Sequence, residues 1–166
     1  NLSKKKPTLI NLTTPLCRSE LIFRKGKSNL YQFVDGAIID MHLKLRQSYK
    51  HLKIAGKMLN AIATSQMPEQ NSPLLFKLFS NYLKHLSIFP SVDSIWASFQ
   101  LKLLKYEGLL DLKDHCNTCT QLASSVFRGE SCCRRCVKTP DFSFNKDEWD
   151  ILLSLFNAQS FEYLKN

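Results

Sequence analysis

Four cysteines carry the clearest chemical signal in this sequence. They form two pairs with two-residue spacers, Cys116/Cys119 and Cys133/Cys136. Such a spacer lets a tight turn aim two thiolates at one point, and two such turns supply the four soft ligands that zinc prefers in a tetrahedron. Free buried thiols would not need matched spacing, and two disulfides would need an oxidising compartment. We therefore predict one structural Zn²⁺ bound by these four residues in a reducing compartment.

Two points about this zinc site stay open. Cys132 is an alternative third ligand, because Cys132 and Cys136 also have a possible ligand spacing. We prefer Cys133, which repeats the spacing of the first pair, and we then expect Cys132 to be a small apolar residue. Four thiolates close the zinc shell, whereas catalytic zinc keeps a position for water. We therefore predict that the protein is not an enzyme, and a zinc-dependent hydrolase is the weaker alternative.

A run of basic residues suggests a polyanion partner. The net charge is +9, and residues 41–67 contain no Asp or Glu. Arg46, Lys50, Lys53 and Lys57 recur at intervals that place them on one face of a predicted helix. Phosphates would relieve the repulsion between these cations, so we predict DNA binding here. The alternative is a solvated helix face.

Two further basic patches compete with this one. Arg24, Lys25 and Lys27 surround a predicted turn between strands, and Arg134 and Arg135 lie inside the second cysteine pair. A bound metal would hold the second patch rigidly, which would suit phosphate contacts. Both patches are predicted DNA contacts, and plain surface charge is the alternative for each.

Short strand-like runs open the chain. Residues 8–13, 16–24 and 29–34 are rich in residues that favour strands, and the segment 25–28 reads as a turn. Three strands make a poor sheet by themselves, so we expect them to complete a domain that begins upstream. We assign residues 1–36 to that domain.

From about residue 40, apolar residues recur at the intervals of three and four positions that are typical of a helix. Ser72 and Pro73 predict the start of a second helix that ends before Pro90, and a third helix is expected over residues 91–107, with Gly108 as its stop. We predict a mainly α fold, in which residues 37–166 form a helical bundle with the zinc-binding segment inserted at 114–140. The apolar positions expected to face the bundle are Leu52, Ala55, Met58, Leu59, Ile62, Ala63, Leu75, Leu78, Phe79, Tyr82, Leu83, Leu86, Ile95, Trp96, Phe99, Leu103 and Tyr106. A last helix should begin at a capping box formed by Asn145 and Glu148.

The order of these features resembles the C-terminal part of bacterial RecO. A helix that ends in Leu103-Leu104-Lys105-Tyr106-Glu107-Gly108-Leu109 leads into the first cysteine pair, and Phe127-Arg128-Gly129 precedes the second. RecO proteins often have two glycines where this chain has Gly129-Glu130, which bears on the shape of the hairpin. The segment 15–31 is similar to the last strands of the RecO OB-fold, and residues 42–46 to the start of its helical domain.

This resemblance implies a function that the residues alone do not give. RecO proteins are non-catalytic mediators that bind single- and double-stranded DNA, promote annealing, and help to load RecA together with RecR and the single-stranded-DNA-binding protein. By resemblance we expect the same partners, no membrane, a zinc ribbon, and a cytoplasmic, nucleoid-associated location. The alternative is a zinc-stabilised interaction scaffold that binds acidic partner peptides and not DNA.

Overall fold

The computed structural model describes residues 9–26, 30–67 and 70–164. The chain is mainly α-helical with two small antiparallel sheets, in agreement with the predicted fold class. It divides into two compact units, one ending at Leu52 and the other beginning at Lys53. Among the described residues, no helix combines the length and apolar character that a membrane crossing requires.

The first unit is built around one β-hairpin. Strands β1 (Arg18–Lys25) and β2 (Tyr31–Asp40) pair antiparallel, and the short helix α2 (Leu43–Arg46) follows them. The prediction of a strand over residues 8–13 is wrong, because helix α1 (Leu9–Leu12) lies there. The hydroxyl of Thr13 donates to the carbonyl of Leu9 at 2.8 Å, so the threonines cap a helical turn instead of lining a sheet.

Strand β2 extends further than the sequence suggested. It continues through Gly36 to Asp40, past the residue at which we placed the domain boundary, and that division stays a prediction. A Cβ on Gly36 would lie 2.7 Å from the carbonyl oxygen of Glu20 on β1. Glycine therefore permits the close approach of two strands here and does not interrupt the strand.

Three long helices follow, and Pro73 begins the second of them as predicted, although the side chain of Ser72 makes no capping hydrogen bond. They are α3 (Tyr49–Ser65), α4 (Pro73–Leu86) and α5 (Val92–Tyr106). Ser91 caps α5 by accepting a hydrogen bond from the backbone N–H of Ser94. Gly108 follows α5 and has a φ of 69°, a left-handed conformation that ends the helix.

The buried face of α3 agrees only in part with the predicted one, since Ala55 and Met58 were predicted and Ile54 was not. Ile54, Ala55 and Met58 are buried, whereas Leu59 is 41% exposed. On α5, Ile95, Phe99 and Leu103 are buried as expected, but Trp96 is only half-buried and Tyr106 is 40% exposed. The sequence pattern identified both helices but shifted the apolar stripe, because several neighbouring apolar positions fit the same helical period.

Helix α6 (Lys146–Asn157) positions the cysteine segment. Its predicted capping box is confirmed, since Asn145 accepts from the backbone N–H of Glu148 and the Glu148 carboxylate accepts from the N–H of Asn145, both at 2.9 Å. The buried side of α6 shares a core with the loops around the cysteines. This core contains Leu112, Ala123, Val126, Trp149, Leu153 and Phe156.

Candidate metal centre

A small hairpin holds the two cysteine pairs next to each other. Strands β3 (Ser125–Phe127) and β4 (Glu130–Cys132) pair antiparallel, and β5 (Phe142–Ser143) adds to the other edge of β3. The hairpin turn is Arg128-Gly129, and both residues have positive φ, 51° and 81°. Two positive φ values in a two-residue loop are the mark of a type I′ turn, which favours glycine. Arg128 and Gly129 form the turn, and Glu130 already belongs to β4.

The four predicted ligands come together at the base of this hairpin. The Sγ atoms of Cys116, Cys119, Cys133 and Cys136 all lie within 4.8 Å of one another. Zinc–sulfur bonds of about 2.3 Å in a tetrahedron place the sulfurs roughly 3.8 Å apart. All six cysteines of the chain lie in its described part and all are free thiols. The group fits a single metal ion, in agreement with the predicted zinc.

Backbone turns aim these side chains inward. In the first loop, the N–H of Thr120 donates to the carbonyl of Cys116 at 3.0 Å. In the second, the N–H groups of Cys136 and Val137 both donate to the carbonyl of Cys133 at 3.1 Å. Each two-residue spacer therefore forms a closed turn, which is the local structure that the spacing predicts.

The thiols in this group differ in acidity. Hydrogen bonds from the backbone N–H groups of Thr118 and then Cys119 lower the pKa of Cys116 to about 6. The pKa of Cys133 is also lowered, chiefly by the backbone N–H of Cys136. The pKa of Cys136 is raised to about 12, first because of its hydrogen bond with Cys119. Backbone donors thus favour two thiolates before any cation arrives, and a metal must displace the proton of Cys136.

Cys132 takes a different place. It is 4% exposed and packs in an apolar cluster with Cys116, Cys133, Phe127 and Val137. Burial raises the pKa of its thiol, which favours the neutral form. The four sulfurs that converge include that of Cys133 and not that of Cys132. Its surroundings match the predicted role of a small apolar residue.

The predicted basic stripe is only partly continuous. Arg46 ends α2, and its guanidinium donates to the carbonyls of Pro15 at 2.7 Å and Met41 at 3.0 Å. Lys50, Lys53 and Lys57 lie on α3, and all three are exposed. The expectation of one helix for all four residues is wrong, because Gln47 and Ser48 separate α2 from α3. Arg46 and Lys50 belong to the first unit, so the whole stripe as a DNA site stays a prediction.

The other predicted contacts belong to different units of the chain. Arg24 and Lys25 end β1 and are exposed, and Lys27 lies outside the described residues. Arg134 and Arg135 are exposed in the second cysteine loop, where the guanidinium of Arg135 donates to the side-chain oxygen of Gln121 at 3.3 Å. The structure does not bring these two patches together within one unit.

Trp96, which the sequence pattern placed on the apolar face of the bundle, lies beside the lysines of α3. The Nζ atom of Lys57 lies 5.7 Å from the ring centroid of Trp96, over the ring. The half-buried Trp96 ring also stacks on Phe99, with centroids 6.1 Å apart and planes at 19°. The contact joins two helices that are far apart in sequence, so no local pattern could have shown it.

Curated relatives of this chain share one name. A "DNA repair protein RecO" from Chlamydia pneumoniae is 31% identical over 153 residues, which are 90% of this chain and 61% of that protein. Proteins of the same name from Chlamydia trachomatis and Clostridium perfringens are 31% and 29% identical, and the matches cover 63% and 71% of their lengths. The chain thus spans less than two thirds of the chlamydial relatives. No protein-family model matches it.

Proposed function

The chain is a homologue of the DNA repair protein RecO, and from this premise we propose that it is a non-catalytic, zinc-stabilised DNA-binding module of DNA repair and recombination. The observation that carries the proposal is the exposed basic side of α3. Lys53 and Lys57 are both exposed and lie one turn apart, within a sequence stretch that has no acidic residue. Such a surface attracts phosphates of any sequence.

The proposal also includes the remaining predicted contacts, each as a phosphate contact of its own. Lys50 continues the same helix, and Arg46, Arg24, Lys25 and Lys27 precede it in the sequence. We give Arg46 a smaller share, since its guanidinium already bonds two backbone carbonyls. Arg134 and Arg135 would form a separate phosphate contact on the zinc-binding loops.

Zinc has a structural role in this proposal. A Zn²⁺ ion on the four cysteines would tie the two loops together and, through the core shared with α6, stabilise the second unit. We also propose that the cysteine segment is a zinc ribbon and that β1 and β2 are the end of an OB-fold. Strand annealing, RecA loading and a cytoplasmic, nucleoid-associated location complete the proposal, with RecR and the single-stranded-DNA-binding protein as partners.

The proposal is tested by fluorescence anisotropy of a labelled oligonucleotide, single-stranded and duplex, titrated with the chain at low salt. Replacing Lys53 and Lys57 with glutamine should weaken binding, because two phosphate contacts are lost. The control replaces Lys77 and Lys84, two exposed lysines of α4, and thus removes the same net charge. Equal affinities of the two double variants would refute a specific role for α3.

A second candidate function is an interaction scaffold. An apolar groove of about 670 Å³ between α3 and α4 favours it, and Leu59, Ile62, Leu75, Phe76 and Phe79 line this groove. Grooves of this kind receive apolar side chains of a partner. Binding of a labelled acidic peptide without any binding of DNA would support the scaffold and refute the DNA-binding module.

A further inference from the structure

Beside the lysines of α3 lies the half-buried aromatic ring of Trp96. We propose that Trp96 is a stacking platform for an unpaired base of single-stranded nucleic acid, and that Lys57 holds the adjoining phosphate. This inference rests on the proposed DNA-binding function. It adds a residue outside the predicted basic patches, and it assigns a preference between single strands and duplexes.

The ring of Trp96 is held in a fixed orientation. It stacks on Phe99, which is fully buried and which also contacts Phe79 and Tyr82 in edge-to-face geometry. A ring fixed in this way loses little freedom when a ligand stacks on it. Trp96 nevertheless stays half-buried on α5 and not fully enclosed, so part of it faces outward.

In this proposal the base binds on the side of the Trp96 ring where the ammonium group of Lys57 now lies. Its Nζ lies 5.7 Å from the Trp96 ring centroid, over the ring, in a cation–π contact. A cation–π contact on a partly exposed ring is weak compared with the stacking of a base. A base that stacks on Trp96 would displace the ammonium group toward the neighbouring phosphate, and Lys53, one turn away, would meet the next one.

The preference for single strands follows from this arrangement. Bases in a duplex already stack on their neighbours, so they offer no free face to a protein ring. Bases of a single strand do, and because each base has a π-face the contact is tolerant of sequence. Trp96 with Lys57 therefore suits single-stranded DNA or RNA of any sequence.

Tryptophan fluorescence tests this directly, because the chain has two tryptophans and the other one, Trp149, is 4% exposed. The probe is an oligo(dT) of roughly 20 nucleotides, and its binding is followed in parallel by anisotropy. We expect quenching of tryptophan emission in the unmodified chain and its loss in Trp96→Phe. Duplex DNA should leave the emission nearly unchanged.

Affinity provides the second measurement. Trp96→Leu should weaken binding of oligo(dT) by about 5- to 150-fold, the usual effect of losing one stacked base. Trp96→Phe keeps a stacking ring and should retain most of the affinity. An abasic oligonucleotide of the same length, which has phosphates but no bases, should bind equally to the unmodified chain and to both variants.

The outcomes separate this inference from the proposed function. Salt-sensitive binding of oligo(dT) without quenching of Trp96 overturns the stacking site and leaves the DNA-binding module standing. Absence of any binding to oligo(dT) or duplex overturns both. Should Trp96→Leu fail to fold, the unmodified chain still decides the question, because oligo(dT) should quench Trp96 and the abasic oligonucleotide, which has no base to stack, should not.

Discussion

Gly129, in the turn between β3 and β4, offers a sharp test of how the candidate metal centre is held. A Cβ added at Gly129 would lie 2.1 Å from the carbonyl oxygen of Leu109, and the residue has φ of +81°. Its own carbonyl accepts a hydrogen bond from the N–H of Asp111 at 2.8 Å. Gly129→Ala must therefore move one backbone segment away from the other.

The expected loss of folding stability is the sum of two contributions. A left-handed conformation costs a residue with a Cβ about 1–2 kcal/mol, and loss of the hydrogen bond between Asp111 and Gly129 costs about 0.5–1.5 kcal/mol. Together they predict a destabilisation of about 1.5–3.5 kcal/mol, before any cost of moving Leu109. If zinc binding is coupled to folding of the hairpin, zinc affinity should fall about ten- to several hundred-fold.

Two other glycines serve as controls. Gly108 also has positive φ, +69°, but an added Cβ there meets nothing within 4 Å, so Gly108→Ala should show the conformational cost alone, about 1–2 kcal/mol. Gly56 lies inside α3 with open space around it, and Gly56→Ala should stabilise the chain by about 0.5–1 kcal/mol. The assays are denaturant unfolding of the zinc-loaded chain and transfer of zinc to a chromophoric chelator. A Gly129→Ala chain that is no less stable than Gly108→Ala would refute the close contact with Leu109.

Further predictions concern the metal and the last helix. Cys133→Ser should lower the zinc content of the purified chain, whereas Cys132→Ser should keep one zinc per chain by metal analysis. The reverse result would mean that Cys132, and not Cys133, is the third ligand. Zinc affinity should rise with pH, because the cation must displace the proton of Cys136, whose pKa is about 12. It should fall more steeply below about pH 6, where Cys116 also takes up a proton, and a flat profile from calorimetry between pH 5 and pH 8 would contradict the thiolate ligands. Asn145→Ala should destabilise the chain by about 1 kcal/mol in denaturant unfolding, and an unchanged midpoint would mean that the capping box contributes nothing.

Local signals in the sequence predicted the helix ends and the cysteine turns well. Gly108 and the pair Asn145/Glu148 each act through backbone groups within a few residues, so their effect can be recognised from spacing alone. The cysteine pairs are similar, since each two-residue spacer forms its own turn.

Features that depend on contacts between distant segments could not be predicted in this way. The threonines after Leu9 favour strands by propensity, but their hydroxyls bond helical carbonyls. The buried side of α3 follows from the surfaces it packs against, and these selected Ile54 over Leu59. The position of Trp96 beside Lys57 likewise depends on how α5 packs near α3.

Salt dependence of binding tests the central claim most directly. Each phosphate contact of a single strand contributes a slope of about −0.7 to the logarithm of the binding constant against the logarithm of salt concentration. The account predicts a steep slope for the unmodified chain and one that is shallower by about 1.4 for the chain with Lys53→Gln and Lys57→Gln. The chain with Lys77→Gln and Lys84→Gln should keep the original slope. Equal slopes for all three chains, or no binding of DNA at low salt, would contradict the claim that this basic side of α3 binds DNA.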